Sequence, residues 1–272
     1  MSLDCDDELS YYERGTGDAV LLLHCWGGDI DVFKDLLLKL SRSFHVICPN
    51  LHKRYNYQHG QNSIEYVSLR VEKLLMKKNI KNISVLGWSY GGLVGFQLLN
   101  SHFLNVRKFI IYEISPKIVN HEEWDCGIKN FYFSENQDFL FMCENYWLKF
   151  NKLILNTYFS DSNTKISELK KKSFNNFKKN NPKELVEVWQ SASEKDFRFL
   201  CDKLNLNVLL IFGAKSKVYD LKTINWLHAN IKNSESLMFN ESGHAPHLEQ
   251  PEEFYHSVAN FLRNGGKNSS SD

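Results

Sequence analysis

The sequence predicts an α/β fold in which helices flank both faces of a mainly parallel β-sheet. Short apolar runs alternate along the 272 residues with longer segments of helical periodicity. This alternation is typical of parallel sheets, because each parallel connection has to cross back over the sheet. A third observation, a stretch at 116–205 without any strand-like run, predicts a helical insertion in that sheet.

Six apolar runs are the predicted strands, at residues 19–23, 44–48, 83–87, 108–113, 208–212 and 236–239. Continuous apolar runs of this kind are typical of strands that are buried on both faces. Helices are predicted between them, near residues 30–42, 63–78, 90–102, 220–232 and 251–263. The last of these begins with Pro251, Glu252 and Glu253, and the first turn of a helix favours proline and acidic residues.

These elements predict one α/β core formed by residues 1–115 and 206–264, with 116–205 inserted as a helical lid. The insertion is rich in aromatic residues, Lys and Asn, and its apolar residues have helical spacing. The final segment, 265–272, has nothing to bury and is expected to be a disordered tail.

Composition excludes several classes of protein. Hydrophobic residues make up 43% of the chain, which is enough for a sizeable core. The 33 basic and 32 acidic residues leave a net charge of +1, so no global field would attract nucleic acid or an anionic membrane. No apolar stretch is long enough for a membrane span, and the acidic first residues lack the features of a secretory signal. The six scattered cysteines, without a CxxC pair, favour reduced thiols in the cytoplasm.

The most informative motif is Gly87-Trp88-Ser89-Tyr90-Gly91, which follows a predicted strand and opens a predicted helix. In this context G-x-S-x-G is the pattern of a nucleophile elbow. Neighbours without Cβ atoms relieve the crowding of a tight turn that projects the serine hydroxyl above the sheet. We therefore predict that Ser89 is a nucleophile.

A serine hydroxyl needs a base at neutral pH, and the base needs an oriented acid. His244 follows Gly243 in the loop between the last predicted strand and the last predicted helix, and it is the candidate base. His247 is the lesser candidate and is expected to face solvent or the pocket wall.

The negatively charged oxygen of a tetrahedral intermediate needs two hydrogen-bond donors. Tyr90, directly after Ser89, offers one backbone N–H. The glycine-containing loop at 24–28, after the first predicted strand, is expected to offer the other from Trp26.

In this order and over almost the whole chain, the motifs resemble those of the α/β-hydrolase superfamily. HCWGG at 24–28, GWSYGGLV at 87–94 and GHAP at 243–246 are most similar to the pimeloyl-acyl carrier protein methyl ester esterases. In those carboxylesterases of biotin synthesis the motifs read HGWG, GWSxGGLV and HAP. The resemblance implies a serine carboxylesterase that needs no cofactor, with Ser89 as nucleophile, His244 as base, Trp26 and Tyr90 as oxyanion donors, and a lid lining the acyl pocket.

The acid of the triad departs from this resemblance. Relatives have an Asp three residues after the glycine that ends the penultimate strand, but Gly213 is followed at that spacing by Ser216. Two carboxylates are candidates, Glu113 and Asp220. Superfamily members such as the haloalkane dehalogenases carry their acid at the end of the strand before the lid, which favours Glu113. Asp220 is instead placed to cap the helix that follows it.

Two further departures concern the loops beside the predicted site. Cys25 replaces the usual glycine of the HG turn and is interpreted as a small buried hydrophobic residue rather than a catalytic thiol. Asn50 stands where most relatives have an acidic residue, in a region that also contains His45, His52 and His59. No carboxylate or cysteine accompanies these histidines at ligand spacing, so no metal site is predicted.

Two alternative functions stay open. Residues 21–34 and 44–50 also resemble the cofactor-free 3-hydroxy-4-quinolone 2,4-dioxygenases, in which a His with an acid after the same strand deprotonates the substrate and no serine nucleophile is required. Those enzymes carry a histidine-flanked serine at the elbow, whereas Ser89 lies between Trp88 and Tyr90. The other alternative is a binding protein of the same fold with a disabled triad.

A cluster of lysines in the insertion raises the question of a protein partner. The seven lysines are Lys165, Lys170, Lys171, Lys172, Lys178, Lys179 and Lys183. Only Glu168 provides a counter-charge among them. A solvated helix face would explain the pattern. The more specific hypothesis is that Lys170, Lys171 and Lys172 dock an acidic acyl carrier protein that presents the acyl ester.

Overall fold

The structure, a computed structural model, describes residues 9–52, 61–161 and 165–264. The predicted tail 265–272 and His59 lie outside these ranges. Seven strands form one sheet in the order β1-β3-β2-β4-β5-β6-β7. They are β1 (Tyr11–Arg14), β2 (Ala19–Leu23), β3 (His45–Pro49), β4 (Asn82–Trp88), β5 (Asn105–Tyr112), β6 (Asn207–Gly213) and β7 (Ser234–Phe239). All neighbouring strands are parallel except β1 and β3, so the predicted mainly parallel α/β fold is confirmed.

Strand β1 is absent from the sequence-based prediction. Its four residues are all exposed and contain no apolar run, and it pairs antiparallel with β3 at the edge of the sheet. Strands β5 and β7 also begin earlier than predicted, because backbone pairing continues through polar residues such as Asn105 and Ser234. Strand β5 ends at Tyr112, so Glu113 lies just beyond it rather than within it.

The helices of the core agree with the predicted positions and differ at their ends. A 3-10 turn (Ile30–Phe33) leads into α1 (Lys34–Leu40), followed by α2 (Ile64–Lys77), α3 (Tyr90–Leu98), α9 (Leu221–Asn230), α10 (Pro246–Glu249) and α11 (Pro251–Asn264). Helix α3 is shorter than predicted and ends at Leu98, where polar residues follow in a turn. Helix α1 packs against α11, and α2 packs against α3.

The segment 116–205 contains α4 (Phe133–Asn145), α5 (Trp147–Tyr158), α6 (Ile166–Phe177), α7 (Pro182–Glu194) and α8 (Arg198–Cys201). We call this segment the insertion. Within its described residues it adds no strand to the sheet. Helix α4 packs against α7 and α5 against α6. The insertion also contacts the core directly, because the Trp26 ring lies 5.2 Å from Phe139, 5.7 Å from Trp147 and 5.5 Å from Trp189.

The described cysteines are buried and unpaired. Burial raises the pKa of Cys126 to about 11 and those of Cys143 and Cys201 to about 12. It raises the pKa values of Cys25 and Cys48 further still. A thiol with so high a pKa is a poor nucleophile, which agrees with the interpretation of Cys25 as a packing residue. In the described ranges we find no helix with the length and apolar character of a membrane span.

Candidate active site

Ser89 occupies a strained turn between β4 and α3. Its backbone has φ 53° and ψ −122°, a region that non-glycine residues rarely adopt. Two backbone hydrogen bonds keep Ser89 in this conformation. Its N–H donates to the Tyr112 carbonyl at 2.9 Å, and its carbonyl accepts from Gly92 N–H at 2.7 Å. The turn therefore presents a half-buried serine at the carboxyl end of the sheet.

The glycines on either side of Ser89 are required by close backbone contacts. A Cβ atom on Gly87 would lie 2.5 Å from the Gly92 Cα, and one on Gly91 would lie 2.1 Å from the Leu23 carbonyl oxygen. Both distances are far inside van der Waals contact. The G-x-S-x-G pattern thus follows from the packing of α3 against β2 and β4.

The structure brings together two of the residues predicted from distant parts of the chain. His244 Nδ1 lies 2.7 Å from Glu113 Oε2, and both side chains are almost completely buried. Glu113 accepts two further hydrogen bonds, from Gly213 N–H to Oε1 at 2.7 Å and from the Ser216 hydroxyl to Oε2 at 2.9 Å. A carboxylate with three donors suits a buried anion, and its bond to Nδ1 leaves Nε2 as the basic nitrogen of the ring.

The backbone also contributes to the position of Glu113. The residue has φ 49°, in the left-handed region, and its N–H donates to the Ile211 carbonyl at 2.9 Å. This sharp change of direction directly after β5 turns the side chain toward the loops that follow β6 and β7.

Asp220, the other candidate acid, has a different role. It is the N-cap of α9, and its Oδ1 accepts from Lys222 N–H at 3.0 Å. No described contact joins it to His244. The capping predicted for it is present in the structure.

The loop at 24–28 is held on the core side by two histidines. His24 Nδ1 donates to the Cys25 carbonyl at 2.9 Å, and its Nε2 accepts from Leu51 N–H at 2.9 Å. Gly27 N–H donates to His52 Nε2 at 3.1 Å. These contacts of two histidine rings hold the backbone of the loop.

The insertion holds the same loop from the other side. Trp26 Nε1 donates to the Leu185 carbonyl at 2.9 Å, and Asn180 Nδ2 donates to the Gly27 carbonyl at 2.5 Å. Among the described residues, the backbone N–H groups of Trp26 and Tyr90 make no hydrogen bond, so both are available as donors.

A narrow pocket opens onto Ser89 between the core and the insertion. Its lining is mostly apolar and consists of Ser89, Tyr90, Leu93, Ile114, Ile118, Ile128, Trp189, Ala192 and Tyr219. Its volume is about 10 Å³, which holds about one water molecule.

Glu249 joins the insertion to the loop that carries His244, a role that sequence reasoning missed. Its Oε1 accepts from Gly243 N–H and its Oε2 from Ser160 N–H, each at 2.8 Å. His244 N–H in turn donates to the Tyr158 carbonyl at 2.7 Å. In sequence Glu249 is only an acid close to a helix start, so no local signal identifies this bridge. Burial raises its pKa.

His247 is a packing residue instead of the solvent or pocket-wall residue expected from the sequence. Its Nδ1 lies 2.7 Å from the Tyr112 hydroxyl, and its ring lies 4.5 Å from that of Trp88. Burial lowers its pKa to about 3, so the imidazole is neutral. Trp88 also contacts the base loop, because its Nε1 donates to the His244 carbonyl at 2.8 Å.

No group of three or more His, Cys, Asp or Glu side chains in the described ranges is arranged to hold a metal ion. The side chains that the sequence predicted for the site lie at the carboxyl ends of three strands: a serine on the turn after β4, a carboxylate after β5, and a histidine after β7.

The mainly parallel sheet and the serine turn after β4 are features of the alpha/beta hydrolase fold. The chain matches the alpha/beta hydrolase fold family over residues 18–251. The protein therefore belongs to the alpha/beta hydrolase fold family. Among curated proteins it is similar to the pimeloyl-[acyl-carrier protein] methyl ester esterase of Vibrio vulnificus strain YJ016, with 25% identity over 260 residues, covering 93% of this chain and 98% of the relative. The enzyme of the same name from Yersinia pseudotuberculosis is 25% identical over 269 residues, covering 96% and 99%. The predicted resemblance is confirmed.

Solved structures support the same fold. An esterase from Exiguobacterium antarcticum superposes with a TM-score of 0.86 at 18% identity, over 94% of this chain and 96% of that one. A bromoperoxidase from Bacillus anthracis gives the same TM-score and identity, over 94% and 95%. These likenesses establish the architecture of the chain.

Proposed function

We propose that this protein is a serine carboxylesterase that hydrolyses an acyl ester. The observation that carries the proposal is the buried bond between His244 Nδ1 and Glu113 Oε2, at the same end of the sheet as the strained turn of Ser89. The names of the similar curated proteins, which are ester hydrolases, support the same reaction.

In the proposed mechanism Ser89 Oγ attacks the ester carbonyl while His244 Nε2 takes its proton. Glu113 keeps the imidazole in the required tautomer and stabilises its protonated form. The N–H groups of Trp26 and Tyr90 donate to the oxygen that becomes negatively charged. His244 returns the proton to the leaving alcohol, and a water molecule activated by the same ring then releases the acid.

The substrate is proposed to be an acyl ester carried by an acyl carrier protein, of the kind named for the curated relatives. The apolar lining of the pocket favours a hydrocarbon chain. Lys171 and Lys172 on α6 are exposed, and neither has an ion-pair partner among the described residues. Together with Lys170 they provide positive charge for an acidic carrier, and the insertion acts as the lid.

We further propose a cytoplasmic location. Its support is the unpaired state of the five described cysteines, since thiols persist where the environment is reducing.

The test is labelling with a fluorophosphonate probe, which reacts with an activated serine. We expect stoichiometric modification of Ser89, and loss of both labelling and ester hydrolysis in Ser89→Ala. The conservative control is Ser84→Ala, on β4 and away from the turn. An unlabelled protein that consumes oxygen with a hydroxyquinolone would contradict the proposal and favour the dioxygenase. An unlabelled protein without either activity would favour a binding protein.

A further inference from the structure

Ser216 makes three hydrogen bonds that together fix the direction of its hydroxyl. Its Oγ accepts from Val218 N–H and from Tyr219 N–H, both at 3.2 Å, and it lies 2.9 Å from Glu113 Oε2. A hydroxyl oxygen has two lone pairs and one proton. Since both lone pairs are used by the backbone of the following turn, the proton is directed to Glu113.

Oxygen Oε2 of Glu113 is also the atom that contacts His244 Nδ1, at 2.7 Å. The other oxygen, Oε1, is held by Gly213 N–H at 2.7 Å. The carboxylate is thus fixed at one end by the backbone of β6 and at the other by the Ser216 hydroxyl, and its remaining acceptor capacity at Oε2 faces the imidazole.

From this geometry we propose that Ser216 is a positioning residue that holds the Glu113 carboxylate in place as the acceptor for His244. The inference rests on the proposed function, in which Glu113 orients the base. In this proposal Ser216 acts only through the carboxylate. It lies at the position where the sequence resemblance would place the acid itself, so a hydroxyl there supports a carboxylate supplied by another strand.

Removal of the hydroxyl would take away one of the two hydrogen bonds that hold the carboxylate from outside the His244 ring. Held by Gly213 N–H alone, the carboxylate would be freer to rotate, which would weaken the orientation of His244. The change would also leave Val218 N–H and Tyr219 N–H without this acceptor, so a variant that keeps the hydroxyl is needed as a control.

The experiment compares Ser216→Ala with Ser216→Thr, using hydrolysis of p-nitrophenyl butyrate. Threonine keeps the hydroxyl, and Ser216 lines a pocket of about 450 Å³. For Ser216→Ala we expect kcat to fall about 10-fold to 100-fold with KM little changed, as for the loss of one hydrogen bond to a charged group. Threonine should restore kcat.

A purely structural role would lower thermal stability and leave the kcat of the folded variant unchanged, so melting temperature and circular dichroism are measured alongside. If the alanine variant does not fold, Ser216→Cys replaces it, because a thiol is a weaker donor of similar shape. A folded variant without the hydroxyl that keeps the wild-type kcat would overturn the inference while the esterase activity stands. Wild-type protein that neither hydrolyses esters nor reacts with the fluorophosphonate would overturn the proposed function and this inference with it.

Discussion

Glu113 combines a left-handed backbone with a buried carboxylate that accepts three hydrogen bonds. Each feature costs free energy, so their coincidence next to His244 is best explained by a functional requirement. A carboxylate placed for stability alone would gain more from an exposed position with a lysine partner.

Substitution of this residue distinguishes the two candidate acids. Glu113→Gln is expected to lower kcat about a thousandfold or more, because an amide cannot stabilise the protonated imidazole that forms in the transition state. The matched control is Asp220→Asn, which should change kcat by less than about twofold, because asparagine caps a helix as well as aspartate does. Steady-state ester hydrolysis measures both. A large effect at Asp220 with a small one at Glu113 would reassign the acid.

Burial of His247 predicts a pH dependence of stability. Its pKa falls from 6.5 to about 3 on folding, so between these values the unfolded chain binds more protons than the folded one. The contribution of this residue therefore destabilises the fold as the pH decreases through that window, by up to about 1.4 kcal/mol per pH unit. His247→Gln should reduce the slope of the free energy of unfolding, measured by urea denaturation between pH 6.5 and 4.

The control for His247 is His228→Gln, a change at an exposed histidine of α9. Its slope should match that of the wild type. Equal slopes for wild type and His247→Gln would mean that His247 does not titrate as its environment indicates.

At the scale of the elements, the end of α5 and the loop after β7 form one unit through Glu249. Only glycine fits at position 243, because a Cβ atom there would lie 2.8 Å from Ser160 N and 2.9 Å from the Tyr158 carbonyl oxygen. The insertion is thereby joined to the backbone on either side of the base.

Glu249→Ala is expected to release this connection. Loss of the acceptor for Ser160 N–H and Gly243 N–H should lower kcat about 10-fold and increase amide exchange at residues 158–161. Hydrogen–deuterium exchange with mass spectrometry measures the second effect. Glu144→Ala, at an exposed position of α4, is the matched control and should leave both unchanged. Unaltered exchange at 158–161 in Glu249→Ala would refute the connection.

Sequence alone predicted those elements whose local pattern matches their burial. The apolar strands in the middle of the sheet are examples, since Val20–Leu23 and Val208–Phe212 are buried on both faces. Strand β1 has no such pattern, because it is held by backbone pairing with β3 and by polar contacts of its exposed side chains. The ends of α3 and α9 are set by turns and caps, and hydrophobic periodicity does not predict these.

The residues of the candidate site also differ in whether a local sequence pattern predicts them. Ser89 and His244 lie within motifs whose neighbours have local reasons to be there, and Glu113 follows a strand end. By contrast, Ser216, Glu249 and Asn180 contact partners 89 to 153 residues away along the chain. The resemblance marks the position of Ser216 but not its contact with Glu113, and the sequence around Glu249 and Asn180 carries no local signal, so only the tertiary contacts identify these roles.

For the whole molecule, the near-neutral net charge of +1 makes the lysines of α6 a local feature rather than part of a general field. Electrostatic docking of an acidic carrier would act on association and leave the chemical step unchanged. The lysine cluster can therefore be tested separately from the catalytic residues.

Reversal of charge at Lys170, Lys171 and Lys172 to Glu is expected to raise KM for an acyl ester on a carrier protein about 10-fold. It should leave KM for a small aryl ester unchanged, since that substrate needs no docking. The control is the same change at three exposed lysines of the core, Lys34, Lys81 and Lys232, which alters net charge equally. An equal rise in KM for both substrates, or equal effects of the two triple variants, would exclude α6 as the docking surface.

The burial of every described cysteine has a practical consequence for the study of this fold. A thiol that is inert in the native protein becomes reactive only when its surroundings open, so alkylation under native conditions records opening events. Cys143 and Cys201 belong to the insertion, whereas Cys25 and Cys48 lie in the core sheet and its loops. The order in which these sites acquire label would distinguish partial detachment of the helical layer from cooperative unfolding of the entire chain, without introducing any reporter group.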